Sequence, residues 1–301
     1  MGSGPGSRAG NEKSNHTKNP MRTILPDAWR PALWAVLACA SLSSAVRADE
    51  NLFGYTYGAE TLPKGRAELY TFQTLRMGKA EGSYLGWDQT IEFEYGITDR
   101  FQASLYANFN YVDIEGVPGF EDKDDDFGFR SVLLAMKYNV LSPFKDPFGL
   151  AFYVEPGFIF RDPTSGDSLH GYECEAMVIF QKNFLDDTLI WCTNAFVEFG
   201  SEDGDEGWGP TVFSGLTYRI APNWFVGVEG HCDADYEGFQ INDQQHWDVF
   251  VGPVVHYGAK DWGATLSVQF NAASGPDSPG SSRNLDDHEK SEVRLKLYWN
   301  F

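Results

Sequence analysis

The sequence predicts an all-β chain folded as an antiparallel transmembrane β-barrel of about 12 strands with up-and-down topology. Three observations carry this. The last stretch, SEVRLKLYWNF, puts Val293, Leu295, Leu297, Trp299 and Phe301 on one face and Glu292, Arg294, Lys296, Tyr298 and Asn300 on the other. That period of two belongs to an extended strand. From Gly65 onward such segments follow one another with no helical window, each roughly a dozen residues long, enough to cross a bilayer at a tilt. The connections between them alternate between short turns and longer acidic loops, as they do in outer-membrane barrels.

The composition agrees. Aromatics make up 15% of the 301 residues, and there are 31 glycines, usage that suits strands, tight turns and aromatic girdles. No run of about 18 apolar residues follows Arg47, so no transmembrane helix is expected there. The net charge is −20, and residues 49–301 hold 17 basic against 41 acidic side chains. A field of that sign excludes nucleic-acid binding.

Residues 1–20 read as a disordered extension. Residues 21–48 read as a secretory signal peptide. Met21 starts it, Arg22 and Arg30 supply the positive region, and Pro31 to Leu42 supply the apolar one. Val46 and Ala48 mark cleavage before Asp49. A lipoprotein signal ending at Cys39 is the rival reading, and bulky Leu37 speaks against it. Residues 49–65 show no alternation and end in the turn Pro63-Lys64-Gly65, so they form a periplasmic or plug segment.

Residues 66–301 form the barrel. Strands are expected near 66–77, 84–97, 101–114, 126–140, 149–161, 171–182, 188–200, 208–220, 224–236, 245–257, 262–273 and 289–301. The third alternates cleanly, with Phe101, Ala103, Leu105, Ala107 and Phe109 opposing Gln102, Ser104, Tyr106, Asn108 and Asn110. The first is ambiguous, because Tyr70 and Phe72 oppose Leu69 and Leu75. Short turns fall at 98–100, 141–148, 183–187, 221–223 and 258–261, with longer connections at 115–125, 162–170, 201–207, 237–244 and 273–288. An even strand count puts both mature termini on the periplasmic side. Trp87, Trp191, Trp208, Trp224, Trp247, Trp262 and Trp299 sit near strand ends, where interfacial girdles lie. Pro156 and Pro253 fall inside strands, and with Gly157 and Gly252 beside them local bulges are expected. Cys174, Cys192 and Cys232 are odd in number, and Cys174 and Cys192 fall near opposite ends of adjacent strands, so no disulfide is expected.

The final strand resembles the C-terminal recognition signal of Gram-negative outer-membrane barrels, with Tyr298, Trp299 and Phe301 as its assembly signal. The leader, NLFGYTYGAETLPKG, EFEYGITDRFQASLY and YWNF together resemble a porin-like family of Gram-negative outer-membrane barrels with no assigned substrate. The resemblance implies the Gram-negative outer membrane as location. Its partners would then be membrane lipid, lipopolysaccharide and the barrel-assembly machinery. It implies no catalytic residue.

With the apolar faces turned to lipid, the lumen receives Glu92, Glu94, Tyr106, Lys137, Tyr153, Glu155, Arg161, Glu173, Glu175, Glu198, Arg219, Glu229, His231, Asp233, His246, Asp248, His256, Arg294 and Lys296. Acidic side chains outnumber basic ones there. A narrow passive pore for small polar or cationic solutes is expected. The alternative is a closed structural or assembly-related barrel, filled by its own side chains. A soluble all-β binding domain is the remaining reading. His231, Asp233, His246 and Asp248 lie on neighbouring strands and are read as a hydrogen-bonded lumen cluster, although imidazole with carboxylate also suits a transition metal. The runs Asp122, Asp124, Asp125, Asp126 and Glu202, Asp203, Asp205, Glu206 lack EF-hand spacing and read as solvated loops. An enzyme would need a nucleophile with a base in reach; the mature histidines other than loop residues His170 and His288 are assigned inward or to the rim, no G-x-S-x-G occurs, and no enzyme activity or cofactor is expected.

Overall fold

The computed structural model describes residues 52–238 and 240–301. The expected extension, signal peptide and Cys39 lie outside the described residues. Twelve antiparallel strands close into one barrel in sequence order, with the last paired to the first. They are β1 Ala67–Met77, β2 Ser83–Thr98, β3 Phe101–Glu115, β4 Lys123–Leu141, β5 Gly149–Arg161 and β6 Ser168–Phe184. Then follow β7 Leu189–Glu202, β8 Asp205–Ala221, β9 Trp224–Glu237, β10 Gln244–Gly258, β11 Trp262–Gly275 and β12 Ser291–Asn300.

Side-chain parity sets the two faces. In β3, Gln102, Ser104, Tyr106, Asn108 and Asn110 are buried in the interior, while Leu105 faces outward and is exposed. Alternate residues of the wall thus form a continuous apolar belt, including Ile91, Phe93, Leu134, Phe152, Phe158, Val212, Leu266 and Phe270. Trp191, Trp224, Trp262 and Trp299 cluster outward at the short-turn end, and Trp247 does so at the other. The ambiguity in β1 resolves with Tyr70 and Thr74 buried inward and Leu75 exposed. The seam is regular: Glu68 pairs with Asn300 and Met77 with Ser291.

Two expectations are corrected. The connection at 201–207 is not a loop. The ladder continues to Glu202↔Asp205, and Asp203 and Gly204 alone make the turn at φ 51° and 100°. An Asp-Gly pair with both residues at positive φ is the favoured two-residue hairpin turn. Nor do the prolines cause bulges. Around Pro156 the β4 register is the same at Leu133↔Gly157 and Met136↔Val154, and pairing is interrupted between them. Around Pro253 it is the same at Val251↔Phe270 and Val254↔Ser267. Each proline points its missing donor toward one neighbour while keeping register with the other. Gly252 accommodates the resulting close approach: a Cβ there would meet Val268 O at 1.7 Å.

The interior is packed. Residues 52–62 lie inside the barrel toward the short-turn end. Leu52 and Phe53 join Ile190, Cys192, Phe225 and Val254 in one apolar cluster. Ala59 joins Tyr106, Leu133, Ala135, Ala151, Tyr153, Met177 and Ile179 in another.

Candidate functional site

The site is the lumen and the segment seated in it. Residues 52–62 have no strand partner, so their backbone groups must find side chains. The wall supplies them. Glu229 of β9 accepts the N–H groups of Gly54, Tyr55 and Thr56 at 2.7, 3.0 and 3.2 Å. Asn194 of β7 pairs with Tyr57 in both directions, accepting its N–H at 2.7 Å and donating to its carbonyl at 3.0 Å. Gln181 accepts from Ala59 at 2.7 Å, Asn139 donates to the Ala59 carbonyl at 2.6 Å, and Gln102 accepts from Leu62 at 2.6 Å. On the far side, Lys296 donates to the Phe53 carbonyl at 3.3 Å. Arg294 lies 3.7 Å from the Tyr55 ring centroid, and the Tyr55 hydroxyl donates to Glu292 at 2.7 Å.

Burial, reinforced by the nearby glutamates, pushes the phenols of Tyr55 and Tyr57 well above their usual range. Both are neutral at physiological pH. Four of the side chains that hold the segment, Gln102, Asn139, Gln181 and Asn194, are missing from the charged lumen set, although strand parity already turned Gln102 inward.

The charged set divides into regions. Glu155 pairs in register with Glu175, and Glu175 with Glu198, so three inward carboxylates stand in a row across β5, β6 and β7. Glu92, Glu94 and Glu173 are buried on the interior face as well. Tyr153 donates to Glu155 and approaches the Tyr106 hydroxyl at 3.4 Å. Arg294 and Lys296 stand on β12, six strands from β6 in either direction around the wall. Lys137 is buried; Arg161 donates to Asn110 at 2.7 Å. His256 hydrogen-bonds Thr265 at 2.8 Å. Arg219 sits at the short-turn rim, donating to the Asp186 and Asp187 carbonyls at 3.3 and 3.2 Å.

The long-loop end is covered too. Residues 162–166 reach Asn110 and Tyr84 through the carbonyls of Asp162 and Thr164, at 3.0 and 3.1 Å. Residues 276–290 fold back so that Asn284, Leu285, His288 and Glu289 are buried. Lys79, 1% exposed, donates to the Asp287 carbonyl at 2.7 Å and pairs with Glu289 at 3.3 Å. Burial pulls its ammonium below the usual range, with Glu289 opposing. Arg76 joins Asp88 at 2.8 Å and Glu289 at 3.1 Å.

His231, Asp233 and Asp248 converge near this end. His246 does not join them and instead approaches Asp235 at 3.1 Å. His288, expected in a loop, is buried against Asp248. Asp122 and Asp203 of the acidic runs accept backbone N–H groups, from Gly116 at 2.8 Å and His170 at 3.0 Å. Tyr298 is buried inside the wall, while Trp299 and Phe301 are exposed on it.

Over residues 45–301 the sequence matches a family described as a family of unknown function, DUF6662. The chain belongs to this family. A search of curated proteins by sequence returned no match. Among solved structures, this DUF6662 barrel is similar to the COG4313 outer membrane channel from Pseudomonas putida F1, at 11% identity and a TM-score of 0.57, covering 81% of this chain and 98% of that one. The NanC porin matches at 13% identity and a TM-score of 0.43, covering 77% and 98%. LpxR from Salmonella typhimurium matches at 11% and 0.45, covering 77% and 99%. At such identities the likeness to the channel is one of fold, that of an outer-membrane β-barrel. The DUF6662 chain thus has a channel-like fold.

Proposed function

We propose that the protein is an outer-membrane conduit for small polar or cationic solutes, held shut by its own residues 52–62. The even strand count puts both mature termini at the short-turn end, and in this reading that end is the periplasmic one. Membrane lipid and lipopolysaccharide cover the apolar belt, and the final strand engages the assembly machinery.

The observation that carries the reading is how the segment is seated. Its N–H groups go to the side chains of Glu229, Asn194, Gln181 and Gln102, whereas the barrel's own backbone groups bond strand to strand. Water can replace each of these side-chain partners when the segment leaves, and a hydrogen bond exchanged in this way is worth about 1 kcal/mol net between neutral groups and about 1.5–3 kcal/mol where the acceptor is charged, as at Glu229. The wall is therefore built to remain while the segment goes. The glutamates it leaves behind would concentrate cations, and the preference would weaken at high salt as screening grows.

Planar-bilayer recording of the mature chain and of a chain lacking residues 49–62 tests this. The intact chain should open rarely, and the truncated chain should give a larger, cation-preferring conductance that Glu175→Gln makes less selective. Absence of conductance from either folded protein would leave the second reading, a closed structural barrel. The wholly buried interior polar row of Thr265, Ser267 and Gln269 favours that reading.

A further inference from the structure

Near the long-loop end, β9 and β10 bring Asp233 and Asp248 directly opposite each other in register. Both face the interior, with His231 one inward position below Asp233. One ligand atom from each of His231, Asp233 and Asp248 lies within 4.8 Å of the others. His231 Nε2 stands 3.8 Å from Asp248 Oδ1. His288, arriving from the segment between β11 and β12, sets its Nδ1 2.6 Å from Asp248 Oδ2. That contact occupies one carboxylate oxygen and leaves Oδ1 turned to the trio.

The cluster does not satisfy itself. Asp233 Oδ1, Asp248 Oδ1 and His231 Nδ1 are buried and have no hydrogen-bond partner. Two carboxylate oxygens are both acceptors, so facing each other they need a shared proton or a cation between them. On the neighbouring strand β11, Gln269 and Asn271 turn inward, 0% and 2% exposed; Gln269 lies against His231, and the Asn271 amide has no partner on its oxygen or its nitrogen. Buried polar capacity left unused on this scale marks a place where a polar ligand belongs.

We propose that His231, Asp233 and Asp248 bind a divalent transition-metal cation, with His288 orienting the Asp248 carboxylate. One imidazole and two carboxylates suit zinc, iron or manganese. The imidazole disfavours magnesium and calcium, which take oxygen ligands. His288 acts as the outer partner that fixes a ligating carboxylate. The proposal concerns binding alone and does not depend on conductance.

The test is zinc titration of untagged, detergent-purified mature protein by calorimetry, with magnesium and calcium as comparators. Heat-modifiable migration on gels reports folding. The wild type should bind one zinc ion per chain and should bind the comparators far more weakly. His231→Gln and Asp233→Asn should each lose stoichiometric binding while folding normally. His288→Gln should weaken binding by about 10- to 100-fold, the range for outer partners of metal ligands. Cobalt loaded in place of zinc should give visible absorption bands that vanish in His231→Gln. Folded wild type that binds no zinc would overturn the proposal and leave the two aspartates sharing a proton. Zinc binding unchanged in both ligand variants would overturn it equally, as an adventitious ion only.

Discussion

Gly54 is held against Glu229: its N–H donates to the carboxylate at 2.7 Å, across 175 residues of sequence. The next two N–H groups converge on the same carboxylate. One side chain of the wall thereby fixes three consecutive residues of the inserted segment. A hydrogen bond to a charged acceptor is worth about 1.5–3 kcal/mol, so Glu229 is the strongest single hold on it.

Glu229→Gln should loosen the segment, because the amide removes the charge and replaces one acceptor with a donor. Gly54→Ala should do so by a different route, since its Cβ would meet Ser267 Cβ at 2.6 Å and Glu229 Oε1 at 2.9 Å. In limited proteolysis of folded protein in detergent, both variants should be cut within residues 52–62 several-fold faster than wild type. Equal cutting rates would show that the apolar cluster around Phe53 seats the segment without help.

Alkaline pH should release it. Burial holds the Tyr55 and Tyr57 phenols well above their ordinary value of 10.0 while the segment is seated. Once released, they titrate at that ordinary value. The seated state therefore binds these protons more tightly, and seating is unaffected by phenol ionisation below pH 10.0 and weakens as the pH rises above it. Protease cutting of the wild type should rise steeply in that range. A Tyr55→Phe/Tyr57→Phe chain should start from weaker seating, because Glu292 loses its donor, but should lack the alkaline rise.

The buried charges under residues 276–290 make an unequal pair of predictions. Glu289→Gln removes the carboxylate facing Lys79, and breaking a buried ion pair on one side costs about 3–5 kcal/mol. Lys79→Met removes the buried ammonium and leaves Glu289 with Arg76 at 3.1 Å, so it should cost less. The midpoint of heat-modifiable migration should fall further in Glu289→Gln, and new cuts should appear within residues 276–290. A larger fall in Lys79→Met would mean that the ammonium's contacts with the Tyr84 and Phe120 rings matter more than its pairing with Glu289.

Phe301 should matter for assembly and hardly at all for stability. Its backbone N–H donates to Ala67 across the seam at 2.8 Å, while its side chain is 63% exposed. Phe301→Asp keeps the backbone bond and removes only the outward aromatic. Its level in cellular membranes should drop sharply, whereas protein refolded in detergent should melt within a few degrees of wild type. A comparable loss in both assays would make the aromatic a packing residue.

Strand parity made the wall legible, since a period of two survives any loop length. It turned Glu229, His231, Asp233 and Asp248 inward from residue number alone. It could not place residues 52–62, whose contacts run from backbone N–H groups to side chains far along the chain and leave no periodic trace. His288 escaped for a related reason: it lies between β11 and β12, where nothing alternates. The prolines misled because a strand can drop a ladder pair toward one neighbour without slipping register. The connection at 201–207 looked like an acidic loop on composition, yet the Asp203-Gly204 turn inside it was the stronger signal.

The row Glu155, Glu175 and Glu198 on β5–β7 has a consequence when set against Arg294 and Lys296 on β12. These groups stand on opposite walls, yet neither wall carries a single sign: Glu292 shares β12 with the two bases, and Lys137 and Arg161 stand on β4 and β5 beside the glutamates. The inserted segment meets both signs on the β12 side, offering the Phe53 carbonyl to Lys296 and the Tyr55 hydroxyl to Glu292. In an emptied lumen a monovalent ion would meet opposite charge on either wall. A zwitterion would find a partner for each of its charges without crossing the lumen, so molecules bearing both charges would travel along one wall.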